Sequence, residues 1–186
     1  MNLDMFSNSQ PGDRLLSEAI QLLDQSIAET RTISHLLHPP LLDEAGFSSA
    51  AKWYLEGFAQ RSGIEVKIDL PDDIGRLPKA IELGLFRVLQ ESLTNIHRHS
   101  GSSKAEVMLR LFPDKVILEV RDYGKGIPRE LLESFRTKGI SFGVGLAGMR
   151  ERVRELGGTL DVQAKAPGSS IAVTLPFPNT AHAAAD

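Results

Sequence analysis

The chain has 186 residues, 41% of them hydrophobic, with 21 Lys and Arg against 24 Asp and Glu for a formal charge of −3, and no cysteine. That suffices for one cored domain, or one with an appendage. The charge balance argues against gripping nucleic acid by phosphate neutralisation, absent thiols exclude disulfides and thiolate metal sites, and no apolar run approaches the roughly 18 residues of a membrane span.

Residues Met1 to Arg14 open with a short apolar stretch (Leu3, Met5, Phe6) and a polar loop. From Leu15 to His38, Leu16, Ile20, Leu23, Ile27 and Leu37 form a stripe at helical spacing, and Leu15, Leu22 and Leu36 widen it. A stripe that broad predicts a helix packed either on the downstream domain or in a dimer bundle. Pro39-Pro40 ends it. Ser48 is expected to cap a second helix running to about Ser62, with Ala51, Tyr54, Leu55 and Phe58 as core face and Gly63 as stop. IEVKIDL (64–70) alternates as a half-buried strand. After a loop from Pro71 to Pro78, a helix begins near Lys79 and buries Leu85, Val88, Leu89, Leu93 and Ile96.

AEVMLRLF and KVILEVRD, joined by Pro113-Asp114, predict an antiparallel hairpin. Residues Ile127 to Phe142 are polar, with one helical turn expected at Glu130 to Phe135, and have the length of a lid or binding loop. A helix is predicted from Val144 to Leu156, with Leu146, Met149, Val153 and Leu156 inward and Gly157-Gly158 as stop. TLDVQA and SIAVTLPF are two further strands, and the tail NTAHAAAD carries no pattern. The sum is a two-layer α/β sandwich with a mixed, mostly antiparallel sheet of about five strands, preceded by a long helix. The predicted division is 1–40 for the helical segment, 41–178 for the sandwich and 179–186 for the tail.

The chemistry concentrates in VLQESLTNIHRHS (88–100). Glu91 and Asn95 stand four residues apart on one side of the helix, and Arg98 and His99 are expected to extend that ridge. An acid, an amide oxygen and a basic pair so arranged could hold a hydrated Mg2+ against phosphate oxygens. Alone, such a ridge is more often a solvated face. DYGKG then ends a strand at Asp122, where a carboxylate can accept a hydrogen bond from an exocyclic amine such as adenine's, with Gly124 and Gly126 letting backbone approach the base. GVGLAG (143–148) opens a helix whose amides would face an anion. Either glycine motif alone is as readily an ordinary turn.

Taken together, these motifs resemble the nucleotide-binding domain shared by sensor histidine kinases, gyrase, the mismatch-repair ATPases and a chaperone ATPase (the Bergerat-type fold). HLLHPPLLDEAG, QESLTNIHRHS and GLAGMRERVRELGGTLDV look like the histidine kinases that pair with response regulators of the NarL/LuxR type. The likeness covers roughly Leu15 to Phe177. It implies ATP and Mg2+ as cofactors, Glu91 as the acid polarising the attacking group or a metal-bound water, and Asn95 as the Mg2+ ligand. Arg98 and His99 would meet phosphate or nucleotide, and Asp122 the adenine amine. Gly124, Gly126 and Ile127 would shape the pocket, while Gly143, Val144, Gly145 and Leu146 close around the phosphates. Ser169 stands where the family commonly has threonine, keeping the hydroxyl. Tyr123 replaces a usual asparagine or aspartate, and Lys125 and Lys138 are candidate lid contacts or solvated lysines.

The resemblance also implies a homodimer through a helical hairpin, relay to a response regulator, a cytoplasmic location, and no contact of this segment with nucleic acid or membrane. The family's acceptor histidine precedes the second hairpin helix, and none of His35, His38, His97, His99 and His182 occupies its position. The chain therefore reads as the catalytic ATP-binding domain with part of the hairpin, transferring phosphate in trans without autophosphorylating. Three alternatives stand against this reading: an anti-sigma-type serine kinase, which shares the fold but lacks the long apolar helix and the LHPP junction, a non-catalytic ATP-binding dimerisation module, and a plain dimerisation scaffold.

Overall fold

A computed structural model of the chain describes residues 40–71, 74–128, 130, 132–133 and 144–177. The chain divides into two units, Met1–Pro40 and Leu41–Asp186, and the second holds every described residue after Pro40. The predicted helix at Leu15 to His38 and the tail at 179–186 lie outside the described residues.

The described elements are α1 (Pro40–Ser62), β1 (Glu65–Asp69), α2 (Lys79–Asn95), a π-helical turn (Ile96–Ser100), β2 (Lys104–Leu111), β3 (Lys115–Asp122), α3 (Val144–Glu155), β4 (Thr159–Ala164) and β5 (Ser169–Pro176). The five strands form one sheet in the order β1-β2-β3-β5-β4. Only β1 and β2 run parallel; the other three pairings are antiparallel. The parallel pair follows from the connection, since parallel neighbours need a long crossover and α2 supplies it.

Register carries the core across the sheet. Val107 pairs with Val120, Val120 with Ile171 and Ile171 with Val162, while Leu109, Leu118, Val173 and Leu160 make the next row. Except for half-buried Leu160 these side chains are buried, as are Leu85, Val88, Leu89 and Leu93 of α2 and Met149 and Val153 of α3. Truncating any one of the fully buried leucines to alanine costs about 2–5 kcal/mol. Ala51, Tyr54, Leu55 and Phe58 of α1 are buried too, with Tyr54 edge-on to Phe86 at 5.5 Å between ring centroids. Burial raises the Tyr54 phenol above its usual pKa, against the opposing charge of Arg61.

The start of α1 corrects the expectation at Ser48. The helix begins at Pro40, whose fixed φ suits a first helical position, and breaks at Gly46, which has φ 76° and ψ −178°. A cap needs non-helical backbone, and that role falls to the break; Ser48 lies inside the resumed helix, buried, with its hydroxyl making no hydrogen bond. Gly63 ends the helix as predicted, donating its N–H to Ala59 O at 3.0 Å.

Glu82 fixes where α2 starts. It is buried, and accepts the Leu77 N–H at 3.2 Å and the Arg76 guanidinium at 3.1 Å. Arg76 also donates to the Asp43 carbonyl at 2.8 Å, so one ion pair ties the beginning of α1 to that of α2. Toward solvent the sheet carries Lys67–Glu106, Arg110–Asp69 and Lys165–Glu119 pairs at 2.5–2.6 Å. Such exposed pairs contribute little individually. Among the described residues no helix is long and apolar enough to cross a membrane.

Candidate functional site

Strand periodicity places one acid deep in the structure. Inward positions on β3 are Val116, Leu118, Val120 and then Asp122, so a carboxylate ends an otherwise apolar row. Asp122 is 4% exposed. Its Oδ1 accepts the Gly124 N–H at 2.8 Å, and its Oδ2 accepts the Ser169 N–H at 3.2 Å and the Ser169 hydroxyl at 2.5 Å. All three donors are neutral. A carboxylate offers about four acceptor sites and is costly to bury without compensation, so this one keeps capacity for a further donor.

Asp122 and Ser169 lie on the wall of a cavity of about 300 Å³. Val120, Ile127, Pro128 and Ile171 supply apolar wall from the strand side, and Ile96 and Leu146 from the helices. Ser92, Asn95, His99 and Ser100 line it from α2 and the π turn. A largely apolar cavity with one buried carboxylate in its wall suits a heteroaromatic ring bearing an amine.

At the helix end, Asn95 Nδ2 donates to Glu91 Oε1 at 3.4 Å, both side chains being half-buried. This turns the amide oxygen of Asn95 away from the acid. Past Asn95 the helix widens to π geometry and stops at Gly101, whose φ is 67°. The widening interrupts the predicted ridge: His99 reaches the cavity wall, whereas Arg98 is exposed and does not. The π turn also carries Ser100 to the strand end. Its carbonyl accepts the Lys125 N–H at 3.0 Å, and a Cβ on Gly124 would overlap that carbonyl. Gly124 is thus demanded by protein backbone, and it does not line the cavity, although Gly126 does.

Residues 80–179 match the family described as histidine kinase-, DNA gyrase B-, and HSP90-like ATPase. The chain belongs to that ATPase family. It is 33% identical over 167 residues to the sensor histidine kinase NarS of Mycobacterium tuberculosis, covering 90% of this chain and 38% of NarS. It is 30% identical over 183 residues to the oxygen sensor histidine kinase NreB of Staphylococcus carnosus, covering 97% of this chain and 51% of NreB. The chain thus spans about half or less of these relatives. The histidine kinase domain of the Erythrobacter litoralis blue-light activated histidine kinase shares the fold, with a TM-score of 0.61 at 19% identity, covering 90% of this chain and 86% of that one. The described unit is an ATP-binding domain of the sensor histidine kinase type, and its five-stranded α/β sandwich is that family's fold.

Within this ATPase domain, the residues singled out in the sequence separate into three groups. Asn95, His99, Asp122, Gly126, Ile127, Leu146 and Ser169 line one cavity. Glu91, Arg98, Gly124 and Gly145 stand outside its wall, Glu91 beneath the first turn of α3 and joined to Asn95. Lys138 and Gly143 lie outside the described residues, and Val144 is described as the first residue of α3 only. Lys125, left open between lid contact and solvated lysine, lines the cavity. Tyr123 points elsewhere: its hydroxyl donates to Glu106 at 2.9 Å and its ring lies 4.6 Å from the Arg121 guanidinium. Sequence reasoning missed Val120 and Ile171, though both sit two residues from a named residue on the same strand face, a signal that period-two counting reaches. Ser92 and Ile96 were equally reachable, standing three residues before Asn95 and His99 respectively.

Proposed function

We propose that this domain binds Mg2+–ATP with its purine amine on Asp122, and transfers the γ-phosphoryl group to a histidine of a dimerisation hairpin, for relay to a response regulator of the NarL/LuxR type. The observation that carries the reading is the buried Asp122 carboxylate, satisfied only by neutral donors, at the foot of an apolar cavity. Gly126, Ile127 and Leu146 enclose the base, and Asn95 and His99 mark the side on which the phosphates leave. Glu91 accepts a hydrogen bond from the N–H of the attacking imidazole, raising the nucleophilicity of the other ring nitrogen.

Among the described residues no three His, Asp or Glu side chains cluster as a metal site. Asn95, with its oxygen turned from Glu91, fits the mode in which Mg2+ takes one protein oxygen and completes its shell with phosphates and water. Asn95 would hold such an ion, which would supply charge neutralisation to the phosphates. Arg98 supplies positive charge nearby, and Gly143, Val144, Gly145 and Lys138 belong on this reading to the segment closing over the phosphates. Residues 1–40 form part of the homodimer hairpin, the accepting histidine is none of the five present, and the domain works in the cytoplasm where ATP is supplied.

Glu91→Gln separates an enzyme from an ATP-binding module. In the enzyme it lowers phosphotransfer to a supplied hairpin by about 10²–10⁴-fold and leaves nucleotide affinity within a few-fold. Unchanged transfer contradicts the role of Glu91.

A further inference from the structure

Gly145 is the second residue of α3, and Glu91 lies directly beneath it. A Cβ built on Gly145 would overlap Glu91 Oε1 and stand 2.8 Å from its Cδ and 3.5 Å from its Cγ. The three atoms nearest to that position all belong to Glu91. The carboxylate therefore occupies the volume that any other residue at 145 would fill with its own side chain. Among the described residues its one hydrogen bond is the long contact from Asn95 at 3.4 Å. A bond that long orients weakly. Packing against the bare backbone of α3 is what determines where the acid stands.

We propose that Gly145 is a positioning residue for Glu91: by lacking a side chain, it admits the rotamer that sets the carboxylate beside Asn95. This rests on the reading of Glu91 as the phosphotransfer acid. It adds to the place of Gly145 in the segment closing over the phosphates a second role, toward the acid. The Glu91 carboxylate is the far end of a flexible side chain, so an added methyl displaces it without unfolding the domain. The damage then falls on chemistry, because a small misplacement of a catalytic group is enough to lose rate.

The test uses the full chain with Gly145→Ala, Glu91→Ala, Glu91→Asp and the corresponding double variants. Melting of the ligand-free protein comes first. Alanine for glycine in a helix is itself stabilising, so Gly145→Ala raises Tm in the Glu91→Ala background by roughly 2 °C or more beyond its effect with Glu91 present. Identical shifts in the two backgrounds overturn the proposal. Transfer from labelled ATP to a histidine-bearing hairpin, measured at nucleotide concentrations that calorimetry with Mg2+ and a non-hydrolysable ATP analogue shows to saturate each protein, should then fall at least tenfold in Gly145→Ala. Glu91→Asp, which withdraws the carboxylate by one methylene, should cost less when combined with Gly145→Ala than when Gly145 is kept. Transfer unchanged at saturation, with or without a loss of affinity, assigns Gly145 to the phosphates alone and overturns the proposal. Absence of transfer in the wild type removes the role of Glu91, and this proposal with it, but leaves the ligand-free coupling measurable.

Discussion

At the strand end of the cavity both oxygens of Asp122 are held by protein N–H and O–H groups at 2.5–3.2 Å, whereas at the helix end Glu91 and Asn95 share one contact of 3.4 Å. The first end is built by backbone: a strand register that puts Asp122 beside Ser169, and a turn in which Gly124 lies on the Ser100 carbonyl. The second is built by side chains on one helix, positioned by what packs over them. A register cannot drift, because a one-residue slip would turn the whole row to the other face. Side-chain positions can. The difference suits the proposed work, with a rigid acceptor that selects the base and an adjustable acid that acts on a group arriving from outside.

Replacements can break this contrast at either end. Gly124→Ala should have the largest effect on stability, since the new methyl meets the Ser100 backbone carbonyl rather than a side chain that can swing aside. We expect a loss of about 3 kcal/mol or more, the upper end for overpacking, seen as a Tm several degrees lower, with nucleotide affinity falling as the turn carrying Asp122 shifts. Ser169→Ala should be milder. It removes the hydroxyl donor to Asp122 but keeps the backbone N–H, and losing a hydrogen bond to a charged group costs about 1.5–3 kcal/mol. Affinity by calorimetry should drop tenfold or somewhat more, and Ser169→Thr should restore it.

The smallest effect lies on the solvent face of the sheet. Hydrogen bonds from Lys67 and then Tyr123 hold the Glu106 carboxyl below its ordinary pKa. A depressed acid stabilises the fold above its unfolded pKa of about 4.3, and that contribution is lost as pH falls through the lower folded value. Glu106→Gln should therefore lower Tm by at most a degree or two at pH 7, with a deficit that shrinks as pH falls through the depressed folded value. A deficit that stays constant as pH falls would mean that packing, and not charge, is what Glu106 contributes.

Much of the strand end was legible in the sequence. KVILEVRD bounded β3 at Lys115 and Asp122 and put the acid at the strand's end; that it faces inward comes from the burial pattern, because Ile117 interrupts the alternation of the sequence. The glycine pair after it marked a turn, but not its cause, because Ser100 is distant in sequence and its carbonyl reaches Gly124 only through the π turn. That turn also explains why Arg98 and His99 part company: ideal helical spacing kept them on one ridge, and the wider turn sends only His99 to the cavity. The early start of α1 went unread because the break sits at Gly46, where a positive φ is a backbone property that composition does not report. The parallel pairing of β1 with β2 is likewise a matter of crossover, invisible in the alternation of either strand.

The most direct test of the account is calorimetric titration of Mg2+ and a non-hydrolysable ATP analogue into the wild type and Asp122→Asn. An amide at 122 turns one acceptor into a donor, which then faces either the Gly124 N–H or the Ser169 N–H and leaves one acceptor fewer for the incoming amine. The account predicts saturable binding in the wild type, weakened in the variant by about 10–100-fold or more. Equal affinity in the two proteins would place the nucleotide away from Asp122 and contradict the account.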